Sequence, residues 1–305
     1  MVGVKMMTIP QPLIPGDRVA LVAPSGAVLP ERIVPAIKAV EAMGFPVVTG
    51  AGVTKRLRYL AGDDDTRARD INSMFARKEV HGIFCMRGGF GASRILELLD
   101  YEMIKRNPKC FAGYSDITML HTVLNQRCGL VTFHTPMAAT EFYHGADRYT
   151  HDMFIHAVMG KFRGLVENPP GRKIKTLHGR LCSGKLAGGN LTSLAAGIGT
   201  SYEIDTTGKI LFLEEVNEPP YKIDRLLTQL RLSGKLKAAA GIVFGSFLDC
   251  GDEQELLEIW REILPIGKPS IYGLAAGHGM PSASLALGAN YILNAERGVL
   301  ACMEP

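Results

Sequence analysis

The feature that most constrains this chain is an alternation, through its first half, of short apolar runs with amphipathic segments. Apolar runs at 18–23, 46–49, 81–86, 109–113 and 130–134 read as strands. Between them, helical patterns cover 31–43, 64–77, the stretch after a glycine loop as far as residue 99, and 117 to about 126. Strand and helix in strict turn predict a mostly parallel sheet sandwiched by helices, an α/β fold.

The second half is less regular. Pro169-Pro170-Gly171-Arg172-Lys173 interrupts the chain, so the expected boundary falls there, giving an N-terminal α/β domain over 1–165 and a smaller C-terminal α/β domain over 166–305. In the latter the pattern predicts a helical segment at 188–192, strands at 210–213, 242–247 and 270–274, and helices at 221–232 and 253–263. Closing strands are expected near 285–293 and at 299–303.

Composition excludes several classes. With 47% hydrophobic and 21% charged residues, the 305-residue chain has ample apolar material for packed cores and does not read as disordered. Its formal charge of +4 is spread along the sequence without a basic block, which argues against nucleic acid as a partner. The six cysteines lack disulfide-framework or zinc spacing, and no histidine pair has the H-E-x-x-H pattern, so reduced thiols and no metal are expected. Residues 1–15 contain interrupting prolines and no apolar core of a signal peptide, which points to the cytoplasm. The longest apolar stretch, 238–248, is far short of the roughly 18 residues of a membrane span and reads as a buried strand.

In open α/β sheets ligands bind beyond the carboxyl ends of the strands. Three loops lie there: Arg87-Gly88-Gly89-Phe90-Gly91, Gly113-Tyr114-Ser115-Asp116 and Leu213-Glu214-Glu215. Ser115 stands between a strand and a helix, where a sharp turn can lift its hydroxyl above the sheet. The second glycine of G-x-S-x-G is replaced by Ile117, which disfavours an ordinary α/β-hydrolase, and a helix N-cap at Ser115 or Asp116 is the plainer reading. The glycine loop could offer backbone N–H groups to an oxyanion, or be only a tight turn. It does not fit the dinucleotide pattern G-x-G-x-x-G, so no cofactor is expected.

Of eight histidines, His278 in Ala276-Gly277-His278-Gly279 has small neighbours and follows an expected strand, which suits a general base. Glu214 ends an apolar strand where a carboxylate can orient a histidine. Glu215 and Glu218 compete for that role, and any of the three could instead cap a helix or pair with Arg225. Arg87 is a candidate cation for a substrate carboxylate.

Taken in order, these segments resemble the LD-carboxypeptidase family. The resemblance rests on Gly16-Asp17-Arg18-Val19, Ala23-Pro24-Ser25-Gly26, Met86-Arg87-Gly88-Gly89-Phe90-Gly91, Gly113-Tyr114-Ser115-Asp116-Ile117-Thr118, Gly188-Gly189-Asn190-Leu191, Leu211-Phe212-Leu213-Glu214-Glu215, Pro220-Tyr221-Lys222-Ile223-Asp224-Arg225 and Gly277-His278. It implies a two-domain serine peptidase with a flavodoxin- or glutamine-amidotransferase-like first domain. Ser115 would be the nucleophile, His278 the base and Glu214 the orienting acid. Backbone N–H groups of Gly89 and Asp116 would form the oxyanion hole. It further implies a cytoplasmic homodimer acting on murein tetrapeptides in peptidoglycan recycling, with peptide-nucleotide antibiotic immunity as the related branch. Pro219-Pro220-Tyr221 looks more like the recycling branch. A non-catalytic small-molecule binding protein using the same crevice is the alternative from another class.

Overall fold

A computed structural model describes residues 7–304; the first six residues, on which the leader reading partly rests, lie outside the described residues. The first half forms β1 (Val19–Val22), α1 (Pro30–Ala42), β2 (Val47–Thr49), α2 (Asp64–Ala76), β3 (Gly82–Cys85), α3 (Tyr101–Arg106), β4 (Cys110–Gly113), α4 (Thr118–Val123), β5 (Thr132–His134) and α5 (Arg148–Val158). Strands β2-β1-β3-β4-β5 are parallel neighbours in that order, a flavodoxin-like arrangement. Every residue of β1, β3, β4 and β5 is buried, as expected of a sheet covered on both faces.

The second half adds β6 (Gly164–Leu165), β7 (Lys175–His178), β8 (Leu181–Asn190), α6 (Leu191–Gly197), β9 (Ile210–Val216), α7 (Pro220–Leu232), α8 (Lys235–Ala238), β10 (Gly241–Leu248), α9 (Glu253–Ile263), β11 (Ser270–Tyr272), β12 (Leu285–Leu287), β13 (Asn290–Asn294) and β14 (Val299–Cys302). Strands β8-β9-β10-β11 are parallel, and antiparallel strands β13, β14 and β6 extend one edge while β7 closes the other. Five of the six free cysteines are buried, and Cys182 is partly so. No helix among the described residues is long and apolar enough to cross a membrane.

Four details differ from the sequence reading. Residues 188–190 end a strand, and the helix begins only at Leu191, because Asn190 accepts the Ser193 N–H at 3.0 Å and caps it. The segment after the glycine loop is a 3₁₀ helix (Ala92–Leu98), and the helix after Ser115 opens as a 3₁₀ turn and ends in a π turn. The run at 285–293 is two strands in different sheets: β12 pairs antiparallel with β5, while β13 pairs with β8. Local apolarity cannot reveal that Gly288, at φ +92°, turns the chain from one sheet to the other.

One apolar cluster spans both halves, joining Phe84, Phe133 and Phe154 of the first to Phe212, Val243 and Leu285 of the second. Along β9 the pleat divides the strand: Ile210 and Phe212 face this shared core, whereas Leu211 and Leu213 face α6, α7 and α9. The double glycine answers to two neighbours: Gly189 leaves room for the Thr118 side chain of α4, and Gly188 for the β9 backbone. A Cβ on Gly188, at φ +135°, would lie 1.9 Å from the Phe212 carbonyl oxygen. Gly188→Ala is therefore expected to cost about 3 kcal/mol or more through backbone strain and overpacking, read as a lower denaturant midpoint. An unchanged midpoint would show that the strand pair can spread at no cost.

Candidate active site

Loops after β1, β3 and β4 meet at the carboxyl edge of the first sheet, and one carboxylate holds them together. Asp116 Oδ2 accepts from Ser25 Oγ at 2.6 Å and from the Ala92 N–H at 2.8 Å. Burial pushes the Asp116 carboxyl up, and the Ser25 and Ala92 hydrogen bonds oppose that shift. Its side chain thus staples loops rather than capping its own helix. Arg67, fully buried, donates at 2.7 Å to both the Pro24 and Gly91 carbonyls and pairs with Asp64, which fixes the glycine loop from below.

Ser115 sits on top of this staple at φ +65°, a left-handed conformation that costs a non-glycine residue about 1–2 kcal/mol. Such strain persists only where the surroundings over-determine it, and it commonly marks functional positions. Gly88 is packed directly below: a Cβ there would come 2.7 Å from Ser115 Cβ and 2.8 Å from its Oγ. Gly89, at φ +105°, follows and lines the same cleft.

The second half supplies the partners. His278 Nε2 is 3.1 Å from Ser115 Oγ, and His278 Nδ1 is 2.6 Å from Glu214 Oε2, which also accepts the His278 backbone N–H at 3.0 Å. A carboxylate only accepts, so the proton between them belongs to Nδ1, leaving Nε2 free to accept from the serine hydroxyl. Gly277, at φ +111°, permits the close approach, since a Cβ there would lie 2.6 Å from Glu214 Oε2. Burial pulls the His278 pKa down, but Glu214, and beyond it Glu215 and Glu141, outweigh burial and raise it.

The sequence left three glutamates open, and their surroundings separate them. Glu214 is fully buried and faces His278. Glu215, on the other face of the pleat, accepts from Asn190 Nδ2 and the Thr192 N–H, both at 2.7 Å, and so secures the start of α6. Glu218 pairs with Lys222 at 3.0 Å, and Arg225 lies over the Tyr221 ring rather than against an acid of this loop.

Sequence reasoning missed the Tyr114–Glu141 pair. The Tyr114 ring packs 4.7 Å from the His278 ring, and its hydroxyl donates to Glu141 Oε1 at 2.7 Å. It also missed Arg32, which lies in the first turn of α1, outside the quoted motifs, but lines the cleft. Tyr114 stands inside the singled-out Gly113-Tyr114-Ser115-Asp116 segment, whereas Glu141 and Arg32 lie in no singled-out segment. The cleft, about 450 Å³, is bordered by Arg32, Arg87, Gly89, Ser115, Met137 and His278.

Comparison with known proteins adds the decisive observation. Residues 19–135 match the LD-carboxypeptidase N-terminal domain, and residues 183–293 match the LD-carboxypeptidase C-terminal domain. The chain belongs to the LD-carboxypeptidase family. It is accordingly a serine-type LD-carboxypeptidase. A probable murein peptide carboxypeptidase of Bacillus subtilis is 36% identical over 299 residues, covering 93% of this chain and 91% of the relative. The microcin C7 self-immunity protein MccF of Escherichia coli is 27% identical, covering 91% and 90%. Among solved structures, the muramoyltetrapeptide carboxypeptidase of Oxalobacter formigenes superposes with a TM-score of 0.80 at 29% identity, covering 94% of this chain and 98% of that one. The LD-carboxypeptidase fold is thus shared along nearly the whole chain.

Proposed function

We propose that this LD-carboxypeptidase hydrolyses the L,D peptide bond to the terminal D-alanine of murein tetrapeptides, through an acyl-enzyme formed on Ser115. One observation carries the reading: a strained serine, an imidazole and a buried carboxylate stand in hydrogen-bonded sequence in one cleft. The names of the Bacillus subtilis and Oxalobacter formigenes relatives supply the substrate class.

In this mechanism Ser115 Oγ attacks the carbonyl carbon while its proton passes to His278 Nε2. Negative charge on the carbonyl oxygen is received by the backbone N–H groups of Gly89 and Asp116, each worth about 10²–10³ in rate. As the intermediate collapses, the C–N bond breaks, and His278 returns the proton to the departing D-alanine amine. Water, giving a proton to the same imidazole, then attacks the serine ester; the ester C–O bond breaks, the imidazolium returns that proton to Ser115 Oγ, and the tripeptide is freed. Glu214 holds the Nδ1–H tautomer and stabilises the imidazolium. Arg87, half-buried at the mouth of the glycine loop, offers a cation for the substrate's free carboxylate.

The reading places Ser115 in a domain over 1–165 and the acid and base in one over 166–305, with β12 crossing back to the first sheet. It also places the enzyme in the cytoplasm as a homodimer, which light scattering reads as twice the chain mass. Incubation of the pure protein with murein tripeptide extended by D-alanine should release free D-alanine. Intact tetrapeptide together with cleavage of a peptide-nucleotide would transfer the assignment to the antibiotic-immunity branch, which the Escherichia coli relative represents.

A further inference from the structure

The cleft holds two guanidinium groups, and neither is paired with a carboxylate among the described residues. Arg87 Nη1 donates to the Ala27 carbonyl at 3.0 Å. Arg32, in the first turn of α1, donates to the Ala139 carbonyl at 3.3 Å and lies 4.5 Å over the Tyr143 ring. These contacts fix the forks without neutralising them. Burial holds the Arg87 pKa down, and the nearby charge of Arg32 lowers it further, so the two cations repel each other across the cleft. Bringing like charges together beside a serine and an imidazole costs free energy in the empty protein. An anion seated between them would recover that cost.

The remaining borders limit what that anion can be. Met137, Ala139, Val28 and Val216 line the same cleft, leaving an apolar space beside the cations. A small amino acid with a methyl side chain and a free carboxylate matches both features. We propose that Arg32 is a specificity-determining residue of this enzyme, forming with Arg87 a two-arginine clamp for the C-terminal carboxylate of the scissile D-amino acid. This rests on the tetrapeptide reading above and adds to it a residue from α1. The clamp makes the enzyme a carboxypeptidase rather than an endopeptidase, because an amide or a longer chain would leave two half-buried guanidinium groups without a counter-charge.

The test reads binding, so that it does not depend on turnover. The Ser115→Ala protein is titrated calorimetrically with murein tetrapeptide ending in a free carboxylate and with the same peptide amidated at that position. The free acid should bind about tenfold to hundredfold more tightly, the range of a charge-assisted hydrogen bond lost. Adding Arg32→Ala should cut that preference at least severalfold by weakening the acid alone, with Arg87 left to hold the remainder. Arg32→Lys should restore only part of the preference, since the ammonium keeps the charge and loses the fork. Because the Tyr143 contact is also removed, the thermal midpoint of each variant is measured alongside. Equal weakening of acid and amide in a folded Arg32→Ala protein would overturn the clamp, as would an undiminished preference. Failure of the unmodified enzyme to release D-alanine would instead remove the proposed reaction, and the acid-to-amide binding ratio would still decide the role of Arg32.

Discussion

Replacing Ser115 by alanine is expected to lower kcat/KM for D-alanine release by about 10⁴- to 10⁶-fold, since the acyl-enzyme route loses its only nucleophile. The fold should survive, because Ser115 Oγ is used toward His278 and not toward the loop staple, which runs through Ser25, Asp116 and Ala92. A companion variant separates chemistry from folding. Ser115→Gly should be equally inactive yet unfold at no lower denaturant concentration than the parent. It relieves left-handed strain of about 1–2 kcal/mol and gives back about 0.5–1 kcal/mol in unfolded-chain entropy. If a folded Ser115→Ala enzyme kept most of its activity, the acyl-enzyme route would be wrong.

Glu214→Gln is the second large effect, with an expected loss of about 10³- to 10⁴-fold in kcat near neutral pH. The amide keeps the volume but carries no charge, so in the proposed mechanism it would no longer stabilise the imidazolium formed as His278 takes the serine proton. The pH profile gives a separate readout. In the parent, burial lowers the His278 pKa, but Glu214 leads the acids that raise it above the ordinary value of about 6.5. In the proposed mechanism His278 acts as a neutral base, so kcat/KM should climb as pH rises through that raised value. Without the Glu214 charge, the midpoint of this limb should move to lower pH. Stability changes with the opposite sense along the axis. Protonated His278 contributes fully below about pH 6.5, and its contribution disappears as pH rises through the folded value. The variant should lack that acid-side contribution. An acidic limb at the same pH in both enzymes would mean that another group governs it.

How much of this was legible in the sequence follows from how far each signal reaches along the chain. The strand at β3 and the helix at α9 were readable because a run of apolar residues, or apolar residues at helical spacing, records its own burial. The positions of Ser115 and His278 beyond strand ends were readable for the same reason, as each follows an apolar run, whereas the loop expected at Leu213-Glu214-Glu215 is a continuation of β9 to Val216. The 3₁₀ segment after the glycine loop was not, since Gly91 at φ +141° and the Asp116 bond to the Ala92 N–H shape it from outside. Nor was the β12 strand's return to β5, which joins residues about 150 apart and leaves no local trace.

The choice among glutamates marks the division most clearly. By itself the sequence determined that a serine and a histidine lay in loops able to meet an acid at the end of the 210–213 strand, and it left Glu214, Glu215 and Glu218 open; β9 runs on to Val216, which puts Glu214 and Glu215 on opposite faces of the pleat. Only tertiary structure decided which face meets the first sheet: Phe212 packs into the core shared by both halves, so Glu214, two residues on, reaches His278 while Glu215 is spent on α6. Within the first half, the parallel order of its own sheet tied Ser25 to Asp116 and brought Arg32 and Arg87 to one cleft, another convergence that no local pattern records. Periodicity along a chain encodes which residues are buried, but convergence of distant side chains depends on how the two sheets are placed against each other.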